Sequence, residues 1–141
     1  MVFAGINYLA VLAAAVAAWL AGAAWYTVLA KPWMAALGKT PEEMEECRKH
    51  PGAFLPFIYA FLGAVVMAWV LAGLVGHLGP GQVTIRSGVI SGLFCWLGFV
   101  VTTMLVNNSF AMRKGMLLVI DAGYWLVVLA LMGAIIGAIG V

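Results

Sequence analysis

Charge is scarce in this sequence. Only 7 Lys and Arg and 5 Asp and Glu stand among its 141 residues. A soluble domain carries about 25% charged residues. That scarcity, together with 66% hydrophobic residues, excludes a water-soluble monomer. A disordered chain is excluded as well, since disorder needs high charge and low hydrophobicity. A net charge of +2 gives no basic stripe for a nucleic acid, so no nucleic-acid partner is expected. Two cysteines cannot frame a disulfide scaffold. The sequence holds no HExxH, no P-loop, no nucleophile elbow and no CxxC pair. The expectation is a non-enzyme with no metal and no cofactor.

What the sequence has is long apolar runs. A membrane-crossing helix needs about 20 mostly apolar residues. Four stretches qualify, at approximately 5–30, 54–76, 85–106 and 116–139. Backbone groups in lipid must bond internally, and none of these runs alternates apolar with polar as barrel strands do. The expected fold is all-α: an integral membrane four-helix bundle forming one domain over residues 1–141. The first run lacks a positive lead-in and exceeds signal-peptide length, so it reads as a retained span. Lys31, Lys39, Arg48 and Lys49 lie in the first loop, and Arg113 and Lys114 in the third. The second connection has only Arg86. By the positive-inside rule, loops one and three are cytoplasmic and both termini outside.

The loop 31–53 is the one long polar segment. Thr40, Pro41 and Glu43 form a helix start with a capping box, and Pro51-Gly52 a stop. Glu45 and Lys49 stand four apart in the favourable order. This predicts a short interfacial helix of two turns. Glu43, Cys47 and His50 share one helix face and are all metal-ligand types, but structural zinc wants four ligands and His50 precedes a proline. A capped surface helix with a free thiol is the simpler reading.

Small residues recur every fourth position. Ala10, Ala14, Ala18 and Gly22 line the first span, Ala60 to Ala72 the second, and Ser87, Ser91 and Cys95 begin a stripe on the third. Gly133 and Gly137 form a GxxxG on the fourth. Helices in lipid associate by close packing, which such stripes allow. They either close a four-helix monomer or, most readily at Gly133 and Gly137, meet another chain. Self-association or docking to a larger membrane complex is therefore expected, besides contact with membrane lipids.

Asp121 is the one charge well inside a span. An ionisable group there is a functional-site candidate by default. Asn107, Asn108 and Tyr26 fall at the same end of their spans, so a polar cluster of Asp121, Asn107, Asn108 and Tyr26 is geometrically accessible. It would either fix helix register by hydrogen bonding or handle a proton or ion in a small-molecule or proton-coupled transporter that uses Asp121. Trp69, Trp96 and Trp125 allow a third reading, a lipid or hydrophobic-cofactor binder, although aromatics equally mark interfaces.

Several motifs are shared with a known family. They are Ile6-Asn7, Gly22, Trp25-Tyr26 and Lys31-Pro32-Trp33-Met34 around the first span, then Asn107-Asn108 and Arg113-Lys114. Ile120-Asp121-Ala122-Gly123-Tyr124-Trp125-Leu126 and Met132-Gly133-Ala134-Ile135 complete the set. Together they resemble a bacterial membrane family catalogued as a domain of unknown function, number seventeen sixty-one. The resemblance covers nearly the whole chain and implies four spans, a bacterial inner membrane and no assigned activity. It implies a hydrogen-bonding role at Asp121, where the family often has asparagine. Small multidrug transporters share the length and span number but carry a key glutamate in the first span, and this first span has no acid.

Overall fold

The structure, a computed structural model, describes residues 5–141. The start of the domain expected over 1–141, residues 1–4, lies outside the described residues. The described chain is helical, and four helices are long and apolar enough to cross a membrane: Tyr8–Val28, Leu55–Gly76, Ile85–Phe110 and Gly115–Ile139.

Helix α1 (Tyr8–Val28) starts where the Asn7 side chain accepts from the N–H groups of Leu9 and Ala10. The loop that follows holds two short helices, where the sequence predicted one. Helix α2 (Ala30–Leu37) ends at Gly38, whose φ of 72° is the left-handed turn that glycine adopts freely. Helix α3 (Pro41–Lys49) is the expected one. Thr40 and Glu43 exchange both capping-box bonds, acids occupy its first turn and bases its last. Glu45 pairs with Arg48 at 3.5 Å rather than with Lys49. Helix α2 escaped notice because Lys31 and Pro32 read as loop residues, yet proline is tolerated in a first helical turn.

Helix α4 (Leu55–Gly76) forms the second span. The third span has three parts: α5 (Ile85–Cys95), a π-helical segment (Trp96–Val101) and α6 (Thr102–Phe110). Thr102 donates to the Gly98 carbonyl at 2.7 Å, and Thr103 to that of Phe99. Each hydroxyl thus bonds back to a carbonyl of the π segment four residues earlier. The span runs four residues past its predicted end at 106. Polarity at Asn107 and Asn108 marked an end that the backbone does not observe. The stop is a Schellman closure: Met112 donates to the Ser109 carbonyl at 3.1 Å and Arg113 to that of Asn108 at 3.0 Å. Helix α7 (Gly115–Ile139) is the fourth span.

Helix α7 lies between α1 and α5, and α1 between α7 and α4, while α4 touches α5 and α7 lightly. Small residues of α1 and α4 meet large ones of α7. Ala14, Ala18, Ala68 and Ala72 are fully buried beside Val128, Met132 and Ile136. On the third span the close-packing positions are Gly88 and Gly92, one residue after the serines of the predicted stripe. A Cβ at Gly88 would overlap the Gly133 carbonyl, one at Gly92 the Leu129 carbonyl, and one at Gly137 the Thr84 carbonyl. The Gly133 and Gly137 surface is thus occupied by α5 of the same chain, and it is not the surface left for another molecule.

Candidate functional site

The polar centre forms where the end of α1 meets the second turn of α7. Three donors converge on three consecutive residues of α7. Trp25 Nε1 donates to the Ile120 carbonyl at 3.1 Å. The Tyr26 hydroxyl donates to Asp121 Oδ1 at 2.7 Å. Trp96 Nε1, from the π segment on the opposite flank, donates to the Ala122 carbonyl at 2.7 Å. Backbone carbonyls inside a helix keep a second lone pair, so these indole bonds add to the helical ladder.

Two glycines make the approach possible, in reciprocal fashion. A Cβ at Gly123 would lie 3.0 Å from Trp25 Cζ2. A Cβ at Gly22 would lie 2.9 Å from the Tyr124 hydroxyl. Each helix therefore seats an aromatic ring of the other on a glycine. The rings continue outward: Tyr26 meets Trp33 at 5.7 Å and Tyr124 at 5.2 Å, both edge to face, and Tyr124 meets Trp125 at 4.8 Å.

Asp121 is half-buried. Its Oδ2 carries no hydrogen bond but is not sealed off, because Asn108 Nδ2 is the buried side-chain polar atom without a partner among the described residues. The structure joins Tyr26 to Asp121 and does not join the asparagines to them. Asn108 is buried on α6, and Asn107 is exposed. Of the expected packing residues, Ala10, Ala14 and Ala18 are fully buried, Gly22 receives Tyr124, and Gly133 and Gly137 face α5.

Two concavities lie elsewhere. One, of about 760 Å³, is open and lined by Lys39, Glu43, Cys47 and His50 among others. There Cys47 Sγ stands 3.7 Å from Lys39 Nζ, and His50 Nδ1 accepts from the Gly52 N–H. Among the described residues no three His, Cys, Asp or Glu side chains gather as a metal group, so Glu43, Cys47 and His50 do not converge. The other, of about 570 Å³, is an apolar groove between α4 and the π segment, floored by Leu129. None of Trp69, Trp96 and Trp125 lines it.

Sequence reasoning named Trp25, Trp96 and Gly123 without foreseeing their contacts, and it missed the Gly88/Gly92 pair. The last was visible as a GxxxG directly behind the serines. The indole bonds end on backbone carbonyls, which leave no residue-type signature.

Four apolar helices, close-packed through glycine and alanine, with a partly buried carboxylate, define a multi-pass helical membrane protein. The chain belongs to the family described as Protein of unknown function (DUF1761), which matches residues 9–137. No curated protein and no solved structure matches it.

Proposed function

We propose that this chain is a non-enzymatic assembly unit of a bacterial inner membrane, associating with itself or a larger membrane complex through its third span. The observation that carries the reading is uneven burial. Only 6% of the most apolar stretch of the third span is buried, against 28%, 33% and 33% for the other spans. Phe94, Leu97 and Phe99 stand exposed along it. The Tyr26–Asp121 bond then serves to fix α1 against α7. Loops one and three are cytoplasmic and both termini outside, from the Lys and Arg asymmetry. The test is disulfide crosslinking in native membranes, with Cys47 and Cys95 replaced by serine. A single cysteine at Leu97 is expected to give a crosslinked dimer or a defined heteromeric adduct, and one at Leu9 on α1 is not. Equal, weak crosslinking at both positions would remove the reading.

A second reading is favoured by the open oxygen of Asp121. Asp121 is the one carboxylate well inside a span, and such a group is what a small-molecule or proton-coupled transporter would use. Proton-linked uptake lost in Asp121→Asn and kept in wild type would support it.

A further inference from the structure

The aromatic cluster at the end of α1 adjoins a carboxylate that has no counter-charge. Asp121 lies six residues into α7, about 9 Å along the helix, and is half-buried. Its one hydrogen bond comes from the Tyr26 hydroxyl, a neutral donor. The ion pair found among the described residues is Arg48–Glu45, so no lysine or arginine pairs with Asp121 there. Lys114 Nζ is engaged by the Ala35 carbonyl at 3.2 Å, and Lys31 and Arg113 are exposed. Asp121 Oδ2 is neither hydrogen-bonded nor enclosed. A partly buried charge left unpaired draws a charge of opposite sign.

Four rings stand beside this carboxylate. Tyr124 and Trp125 follow Asp121 at three and four residues, on the same face of α7. Tyr26 reaches Asp121 from α1, and Trp33 of α2 packs on Tyr26. The rings meet at steep angles: 71° for Tyr26 with Trp33, 63° for Tyr26 with Tyr124 and 51° for Tyr124 with Trp125. Rings so inclined do not stack, so π faces are left uncovered, and all four side chains are only partly buried. The face of an aromatic ring carries negative potential and attracts cations. A belt at the membrane surface accounts for tryptophan and tyrosine alone. It does not account for a carboxylate among them, in the second turn of a span.

The chemistry of the set selects the kind of cation. Calcium and magnesium want six or more oxygen ligands. Asp121 is the only acid of α7, and no metal-binding group of side chains gathers among the described residues. Rings favour a weakly hydrated organic cation instead, an ammonium bearing carbon substituents. Such a cation also suits the depth, because its apolar part can lie in lipid while the charge stays near the surface.

We propose that Asp121, with Tyr26, Trp33, Tyr124 and Trp125, binds the ammonium group of an amphiphilic organic cation. The inference rests on the transporter reading for the choice of Asp121, and it names the substrate class. The test is calorimetric titration of the full chain in dodecyl maltoside with phenyltrimethylammonium. A parallel titration uses tert-butylbenzene, its neutral carbon analogue of the same shape. Wild type is expected to bind the cation saturably and the neutral analogue not at all. Asp121→Asn keeps an acceptor for Tyr26 but removes the charge, and it should weaken binding about tenfold or more. Trp33→Leu, outside the spans, should weaken it about threefold, the effect of one exposed ring. Circular dichroism and unchanged elution would show that both variants fold. Competition by phosphatidylethanolamine added to the micelles would make the ammonium a lipid headgroup; without competition it is a free amine. No saturable binding, equal binding of tert-butylbenzene, or unchanged affinity in either variant would overturn the proposal. Binding without proton-linked uptake would remove the transporter reading and leave the site standing.

Discussion

A carboxylate inside a spanning helix is costly unless its environment answers it. At Asp121 the answer comes from another helix, through the Tyr26 hydroxyl at 2.7 Å. The bond is interhelical, and such bonds in membranes contribute about 0.6 kcal/mol on average and up to about 1.7. Tyr26→Phe keeps the ring contacts to Trp33 and Tyr124 but removes the donor. It should cost about 1 kcal/mol. Asp121→Asn retains an acceptor for the same hydroxyl and should cost less, whereas Asp121→Leu should match or exceed Tyr26→Phe. Unfolding by sodium dodecyl sulfate from mild detergent measures all three. If Tyr26→Phe is as stable as wild type, the bond does not hold α1 to α7. The neighbouring residues show why aromatic and glycine positions must change together. Gly123→Ala would press on the Trp25 ring and strain its bond to Ile120.

At the scale of elements, the α5–α7 contact is the closest in the molecule and rests on absent side chains. Gly88 and Gly133 present backbone to backbone, so a Cβ on either overlaps the other's carbonyl. Overpacking of this kind costs about 1–3 kcal/mol because a whole helix must move. Gly133→Ala should therefore destabilise the fold by that amount, while Gly63→Ala, open on α4, should be neutral in the same denaturation assay. Equal stabilities would mean that the helices separate without penalty. The turn into α7 makes the opposite prediction. Met112 closes the Schellman turn with φ of 51°, a left-handed conformation in which its Cβ is strained. Its side chain is 91% exposed, so nothing is lost by deleting it. Met112→Gly should stabilise the protein by about 1 kcal/mol. A destabilised variant would show that the side chain makes a contact worth more than the strain.

For the molecule as a whole, the spans were legible because lipid imposes one rule on every residue of a crossing helix, apolarity over about 20 positions. Their partners were less legible. The Ala10 to Gly22 stripe and the Gly133/Gly137 pair announced close packing, but periodicity alone does not say which helix comes close. The Tyr26–Asp121 pair was in reach because both residues are polar and at one end of their spans. The Trp25 and Trp96 bonds were out of reach because they end on backbone. The bundle that results is lopsided. Buried Met132 and Ile136 lie at the centre of one face of α7, while Phe94, Leu97 and Phe99 on the third span touch little. These two groups should separate stability from association. Met132→Ala opens a cavity inside the chain and should lower monomer stability by about 2 kcal/mol or more, with the subunit contact affected only through folding. Leu97→Ala and Phe99→Ala should leave monomer stability near wild type and weaken association. Fluorescence energy transfer between labelled copies in vesicles, diluted stepwise with lipid, measures the second quantity; denaturation of the dilute protein measures the first. If the third-span variants leave energy transfer unchanged while Met132→Ala lowers it in proportion to unfolding, the third span faces lipid alone and the assembly reading fails.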